Sequence, residues 1–224
     1  MFQVIDMHCD TIPALQWKEK QEHLADADLQ INLDKLEKGG SLCQCFSLFT
    51  FLKGLKDETP FEHVRKLADL WKSEVERYPD RICQIKTYVD LMQVQKEGKI
   101  GAVMTVEEGG VYEGSIEKLH TLYDLGVRIS TLTWNFPNEL GFPNPAQEEG
   151  KPYLPDLENG LTSTGIAFVE EMERLGLKGP HVSCLYYLSL YDELTAAELC
   201  ERCDEDKAAI SRSLDDLEKN GYIT

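Results

Sequence analysis

The chain has 224 residues, of which 42% are hydrophobic, and this length allows one large domain or two small ones with a proper apolar core. Its formal net charge of −17 repels phosphate backbones and disfavours nucleic acid as a partner of the whole chain. No apolar run approaches the roughly 20 residues that cross a bilayer, which excludes a membrane-spanning class.

The cysteines and the first residues of the chain bear on its compartment. The seven cysteines are odd in number, which does not favour a disulfide framework. The first residues lack the basic start and apolar core of a signal peptide. We therefore expect a reducing, cytoplasmic setting.

The first third of the chain contains two predicted strands and one strong helix signal. Residues 4–8 and 41–52 are rich in side chains that pack on pleated surfaces, and a polar helix is expected between them. Residues 59–62 (TPFE) combine an N-cap hydroxyl, a proline at the first helical position and a glutamate three residues after the cap. A helix should follow, with a buried stripe formed by Val64, Leu67, Leu70, Trp71 and Val75.

The middle of the chain continues this alternation of helices and strands. A strand over residues 101–106 is expected to stop at residues 107–110 (EEGG), where two glycines follow the acidic pair. The remaining predicted elements are a helix at 89–95, a helix at 116–125, a strand at 127–133 and a helix at 163–175. Such a βαβα pattern is typical of a parallel sheet covered by helices.

The composition changes after residues 176–180 (GLKGP), where the strand pattern ends. Residues 181–191 are apolar with helical spacing, and residues 195–198 (TAAE) form a capping box that opens two short helices. We therefore predict two domains, residues 1–177 and 178–224.

Candidate metal ligands lie at the ends of two predicted strands. Asp6, His8 and Asp10 alternate, so their side chains are expected on one face at the carboxyl end of the first strand, where β/α barrels carry their chemistry. A histidine and a carboxylate two residues apart can hold one ion such as zinc. Glu108, followed by two glycines, could supply a third ligand or bridge two metals. Hydrogen-bonded polar strand ends explain such a pattern about equally well.

Several segments, taken together, share their order and spacing with one enzyme family. They are residues 6–11 (DMHCDT), 108–110 (EGG), 125–133 (LGVRISTLT) and 160–176, which contain GLT and MERLG. Over residues 1–177 the chain resembles the membrane dipeptidase (renal dipeptidase-like) family of zinc metallopeptidases. The resemblance implies a binuclear zinc site in a (β/α)8 (TIM) barrel and dipeptides as substrates. By position, His8 and Asp10 resemble ligands of the first zinc, and Glu108 resembles the carboxylate that bridges both.

The chain also departs from the family pattern. The resemblance implies a histidine ligand of the second zinc just beyond residues 174–176, where residues 178–181 read KGPH, and Trp134 stands where many members have a histidine. His181 is interpreted as a packing or surface histidine. We therefore expect an incomplete barrel of about four strands, one zinc site with three protein ligands, a second site that is incomplete, and a truncated, inactive enzyme.

The last part of the chain resembles a different family. Residues 178–224 resemble part of the winged helix-turn-helix of MarR-type transcription regulators, a small all-α segment in which Lys207, Ser211 and Arg212 would face DNA. Residues 195–224, however, contain eight acidic and four basic side chains. A solvated helix pair is therefore the favoured interpretation of this segment.

Three hypotheses about the whole chain remain. The leading one is a truncated zinc dipeptidase, the second is a MarR-like regulator with an irrelevant N-terminal extension, and the third is a non-functional fusion of two coding sequences. An unpaired strand edge beside residues 127–133 is expected to allow self-association. The Cys200/Cys203 pair is interpreted as ordinary packing, and Cys43 and Cys45, on the same side of a strand, receive no role.

Overall fold

A computed structural model describes residues 3–25, 28–144, 158–175, 194–203 and 207–219. The chain divides into two compact units, Met1–Val169 and Glu170–Thr224. Within the described part, every helix is too short or too polar to span a bilayer. The predicted His181 and its apolar surroundings lie outside the described residues.

The first unit is built on a parallel sheet. Its strands are β1 (Val4–Asp6), β2 (Ser41–Ser47), β3 (Ile82–Gln84), β4 (Ile100–Val106) and β5 (Val127–Ser130). The helices up to residue 174 are α1 (Thr11–Gln16), α2 (Leu33–Gly39), α3 (Pro60–Arg77), α4 (Tyr88–Glu97), α5 (Ile116–Leu125) and α6 (Ser163–Arg174), with 3-10 turns at Leu52–Gly54 and Gly109–Tyr112. The predicted α/β class is confirmed, with five strands where about four were expected.

The strand order places the carboxyl ends of all strands at one edge. The sheet runs β1-β2-β4-β3, and β5 pairs with β4 beyond the end of β3. β4 therefore pairs with β3 through Ile100 and Ile82, and with β5 through Met104 and Val127. Because every pairing is parallel, the loops that follow the strands converge at this edge, where a barrel carries its site.

One face of the sheet is closed by apolar packing. Phe46 of β2 and Met104 of β4 lie side by side and are buried. Helices α1 and α3 pack against the sheet, and α3 begins at the predicted capping box, in which Thr59 and Glu62 bond each other's backbone N–H. The predicted stripe of α3 is confirmed for Val64, Leu67, Trp71 and Val75, which are buried, whereas Leu70 is half-buried.

The opposite face is covered only in part. Cys43, Ile85 and Val94 form a small buried cluster, so α4 covers the amino-terminal half of this face. Beside it, Ile5 and Met7 remain exposed. We call this side of the sheet the open face, defined by Cys43, Cys45 and the residues paired with them.

The second unit contains the two short helices that the sequence predicts, α7 (Ala196–Cys203) and α8 (Lys207–Lys219). The predicted capping box is confirmed, since Glu198 accepts from the Thr195 backbone N–H and donates its own N–H to the Thr195 hydroxyl. A small core joins the two helices; its members are Leu199, Ile210 and Leu217, with Leu194, Cys200, Cys203 and Leu214 packed against them.

Candidate metal centre

An extra residue at the end of β1 determines where His8 and Asp10 point. Asp6 pairs with Gln44, whereas Cys9 donates its N–H to the Cys45 carbonyl and accepts from the Ser47 N–H, so Cys9 lies opposite Phe46. One additional residue therefore lies between Asp6 and Cys9, as in a β-bulge. The expected alternation of Asp6, His8 and Asp10 is interrupted, and the Asp6 carboxylate instead accepts the backbone N–H of His8 at 3.1 Å.

His8 and Asp10 reach the open face because Cys9 between them is buried on the other side. The His8 Nε2 atom lies 3.4 Å from an Asp10 oxygen and 3.3 Å from a Glu107 oxygen. The three ligand atoms lie within 4.8 Å of one another. An imidazole nitrogen and two carboxylate oxygens at this spacing suit a single zinc-like cation, so the residues present fit the metal that the family resemblance implies.

The environment of Glu107 favours a cation beside it. Burial raises the pKa of Glu107, and the carboxylates of Asp10 and Glu108 raise that pKa further, while His8 opposes them. The acidic groups repel one another, and a divalent ion between them would relieve that repulsion.

Glu108, the predicted bridging ligand, lies behind this group. Its side chain is fully buried, and one carboxylate oxygen accepts the Gly110 N–H at 2.9 Å and the Asn138 amide at 2.6 Å. The other oxygen has no hydrogen-bond partner among the described residues. Glu108 also has a φ of 87°, a strained value for a residue with a side chain. Its role as a ligand stays a prediction.

The loops around Glu108 explain the two glycines that follow it. A Cβ atom at Gly109 would lie 2.4 Å from the Leu132 carbonyl oxygen, so only glycine allows this approach. Asn138 fixes the same loop, because its amide also donates to the Leu132 carbonyl and its oxygen accepts the N–H of Leu140.

Sequence reasoning missed Glu107, although a signal for it exists. Thr105 pairs with Ser47 on the open face, and alternation along the strand carries Glu107 to the same face as His8. The Glu-Gly-Gly motif drew the interpretation to Glu108 instead. Strand parity, applied to both acidic residues, would have assigned Glu107 to the group.

Trp134 belongs to an aromatic cluster in the loop after β5. Its ring lies 4.8 Å from Phe49 and 6.2 Å from both Phe51 and Phe136, and the Lys53 ammonium lies 3.5 Å from the Phe136 ring centre. Phe49 and Trp134 follow strands β2 and β5 at their carboxyl ends. This apolar wall therefore belongs to the same edge of the sheet as His8, Asp10 and Glu107, which we call the acidic group.

The predicted DNA-facing residues all lie on α8. Lys207, Ser211 and Arg212 are exposed. An exposed position is compatible with DNA contact and equally with a solvated helix, so this role stays a prediction.

Comparisons with known proteins give two family matches. Residues 1–178 match the family model described as Membrane dipeptidase (Peptidase family M19), and residues 175–224 match that of the MarR family. Dipeptidase 3 of Mus musculus is 29% identical over 182 residues, which are 79% of this chain and 35% of that protein. Dipeptidase verJ of Clonostachys rogersoniana is 31% identical over 109 residues, 49% of this chain and 26% of that protein. The chain thus spans about a third or less of the curated relatives.

Solved structures show the same architecture. A crystal structure of a dipeptidase described as a family M19 metallopeptidase matches with a TM-score of 0.63 at 20% identity, covering 78% of this chain and 54% of that one. A metallopeptidase from Rhodobacter sphaeroides, bound to a phosphinate mimic of the dipeptide L-Ala-D-Ala, matches with a TM-score of 0.62 at 19% identity, covering 78% and 57%. The expected barrel-type fold over part of its length is confirmed by these likenesses.

Proposed function

Because the chain belongs, over residues 1–178, to the membrane dipeptidase family of metallopeptidases, we propose that it carries one metal site of a zinc-dependent dipeptidase. The observation that carries the proposal is the group formed by His8, Asp10 and Glu107 at the carboxyl edge of the sheet. The substrate class is supported by the dipeptide mimic in the Rhodobacter sphaeroides relative.

The residues of the group have separate tasks. His8 offers a neutral imidazole nitrogen, and Asp10 and Glu107 offer anionic oxygens that balance the charge of a divalent ion. When bound, such an ion polarises a carbonyl and lowers the pKa of water. Glu108 adds a buried carboxylate. The Asn138 amide donates to one of its oxygens and so fixes the position of the other, which has no hydrogen-bond partner among the described residues. This oxygen is available to a second ion.

We further propose that this chain by itself binds one zinc ion and does not hydrolyse dipeptides measurably. Two-metal hydrolysis needs both cations to hold the nucleophile and the developing negative charge. Of the residues that the family resemblance assigns, only Glu108 is offered to the second ion. Residues 178–181 read KGPH where the resemblance implies a histidine ligand, and His181 is interpreted as a packing or surface histidine. Loss of one half of such a clamp removes several kcal/mol of barrier reduction, on the order of what positioning supplies.

Metal analysis after dialysis tests the site. The parent chain should retain one zinc equivalent, and His8→Ala should retain none. Glu107→Gln should lose most of the metal, whereas Glu76→Gln, which changes a carboxylate with 67% of its side chain exposed, is the matched control and should keep it. Retention by His8→Ala would refute the site. If Glu108→Gln loses the ion and Glu107→Gln keeps it, Glu108 and not Glu107 is the third ligand.

A hydrolysis assay tests the activity. An alanyl dipeptide, incubated with the zinc-saturated chain, should be cleaved no faster than with the His8→Ala/Glu108→Gln double variant. Cleavage by the parent chain that disappears in the double variant would contradict the proposed inactivity and would at the same time support the dipeptidase chemistry.

The MarR match and the exposure of Lys207, Ser211 and Arg212 favour a DNA-binding fragment as a second candidate. The acidic surplus of residues 195–224 opposes it, because phosphate binding needs a positive surface. Electrophoretic mobility shifts at low salt, with Lys207→Ala/Arg212→Ala as the comparison, would test this candidate. We expect no shift that depends on these two cations.

A further inference from the structure

The aromatic cluster at the carboxyl edge has no task in the zinc site proposed above; its members are Phe49, Phe51, Trp134 and Phe136. The strand register places it beside the acidic group. Leu48 donates its backbone N–H to the Thr105 carbonyl at 2.8 Å, so β2 and β4 stay paired up to their carboxyl ends. Phe49 and Glu107 each lie two residues beyond the pair formed by Ser47 and Thr105, which brings both to the open face as neighbours on adjacent strands.

The cluster also crosses the end of β4. This strand lies between β2 and β5, and strands two places apart in a sheet are separated by about 10 Å. The rings of Phe49 and Trp134, which follow β2 and β5, are nevertheless only 4.8 Å apart. A Cβ atom at Gly110 would lie 2.6 Å from the Leu52 side chain and 3.2 Å from that of Asn138. The two loops therefore meet over the turn that follows β4, next to the acidic group.

The surface of the cluster is accessible and has a cation at its rim. Phe51 is 43% exposed, and its ring packs so closely on Gly54 that a Cβ atom there would lie 2.8 Å from it. The exposed Lys53 holds its ammonium 3.5 Å from the centre of the Phe136 ring. Among the described residues no carboxylate pairs with Lys53. An apolar wall and an uncompensated positive charge thus lie side by side.

We propose that the aromatic cluster and Lys53 bind the C-terminal residue of a dipeptide, with an apolar side chain against the rings and the free carboxylate at the Lys53 ammonium. This inference rests on the proposed function, which supplies the dipeptide class. The carboxylate and the side chain of such a residue share one carbon atom, and the ammonium and the Phe136 ring are correspondingly close. Aromatic side chains pack well on exposed rings, edge to face or offset.

The length of a dipeptide fits this placement. Consecutive Cα atoms are about 3.8 Å apart, so a dipeptide whose peptide carbonyl meets the ion keeps its second residue within a few ångströms of the acidic group. Phe49 is the aromatic side chain that the register places next to Glu107. The second residue would therefore meet the cluster first at Phe49 and extend towards Phe51 and Lys53.

Calorimetric titration of the zinc-loaded full chain with three ligands tests the proposal. The ligands are L-alanyl-L-phenylalanine, L-alanyl-L-alanine and the C-terminal amide of L-alanyl-L-phenylalanine. The phenylalanyl ligand should bind at least about 10-fold more tightly than the alanyl ligand, since its larger side chain is removed from water. The amide should bind about 5-fold more weakly than the acid, the upper range for a solvated ion pair. This comparison needs no variant.

Single changes locate the binding surface. Phe51→Ala should weaken binding of alanyl-phenylalanine by about 5-fold and leave that of alanyl-alanine unchanged. Lys53→Met should weaken binding of the acid by about 5-fold and leave that of the amide unchanged, and Lys53→Arg should restore the acid. Lys56→Met, which changes another exposed lysine of the same loop, and Trp17→Ala, which removes an exposed indole, are the matched controls and should have no effect. Every variant should retain its zinc.

The outcomes separate this inference from the proposed function. Equal affinity of the parent for the two dipeptides, an amide that binds as well as the acid, or undiminished affinity in Phe51→Ala would each overturn the inference. So would a loss in Lys56→Met equal to that in Lys53→Met, or a parent chain that holds zinc and binds neither dipeptide. Failure of the proposed zinc site is detected independently, as a parent chain without zinc. In His8→Ala the preference for alanyl-phenylalanine should persist, because the cluster does not depend on the ion.

Discussion

On one face of the sheet Phe46 and Met104 are at most 2% exposed, whereas on the other face Ile5 and Met7 keep 51% and 53% of their surface in contact with solvent. The first face is closed by helices. The second face contains the acidic group at its carboxyl edge. Because the two faces belong to the same strands, alternate residues serve packing and chemistry in turn.

This separation has a physical consequence for mutation. A side chain on the covered face contributes through burial, so its loss acts on the free energy of unfolding. A side chain of the acidic group is partly exposed and contributes little to burial, so its loss acts on metal affinity. The two kinds of effect should separate cleanly.

The largest expected effect is a loss of unfolding free energy when a buried side chain of helix α3 is removed. Trp71 of α3 is 1% exposed, and Trp71→Ala should lower the free energy of unfolding by about 3–5 kcal/mol, the usual cost of such a cavity. Trp17→Ala is the matched control, because Trp17 is 64% exposed, and should change it by less than about 0.5 kcal/mol. Urea unfolding followed by circular dichroism measures both. Equal losses in the two variants would show that burial at α3 does not stabilise this unit.

The next effect comes from the acidic group and requires the ion. Zinc that binds only the folded chain should stabilise it by about 2.7 kcal/mol when present at 100 times its dissociation constant. His8→Ala should abolish this gain and leave the metal-free stability nearly unchanged, since the His8 side chain is 49% exposed. Thermal melts with and without zinc provide the comparison. A large loss of metal-free stability in His8→Ala would break the proposed separation of tasks.

The covered face was the easier one to predict from sequence. Apolar periodicity and the capping signal at Thr59 identified α3 and its buried stripe, because both depend on contacts near in sequence. β3 has only three residues, Ile82–Gln84, and a pattern of period two is not recognisable over that length.

The open face was predicted less completely. His8 and Asp10 were predicted as candidate ligands, and the structure brings them together. The extra residue before Cys9 was not predicted, because a bulge is determined by pairing with β2 and has no local signature. The positive φ of Glu108 depends likewise on packing, since the residue after it, Gly109, approaches the Leu132 carbonyl closely.

Association through the free edge of β1 should produce a smaller effect. Among the described strands β1 pairs only with β2, and the exposed Ile5 adds an apolar contact beside that free edge. We expect the chain to self-associate at micromolar concentration, and Ile5→Lys to weaken association by about 2 kcal/mol, the worth of one buried side chain. Sedimentation velocity measures this. Gln3→Lys, a nearby exposed change, is the control, and a parent chain that remains a compact monomer would contradict the prediction.

The smallest effect is on the free energy of unfolding of the metal-free chain. Here a substitution at Glu107 should stabilise the chain, whereas the substitutions above weaken stability, metal binding or association. Burial raises the pKa of Glu107 in the folded chain, so folding favours the protonated form, and the stability that this contributes is present at acidic pH. It is lost as the pH rises through the raised folded pKa. At neutral pH Glu107→Gln, which cannot ionise, should therefore make the metal-free chain slightly more stable than the parent, by less than the zinc effect. Below the ordinary carboxyl range the two should be equally stable.

Urea midpoints at acidic and neutral pH, with Glu76→Gln as the exposed control, measure the difference. A Glu107→Gln variant less stable than the parent at neutral pH would mean that the ionised carboxylate stabilises the fold, and the open face would then contribute to stability as well as to metal binding.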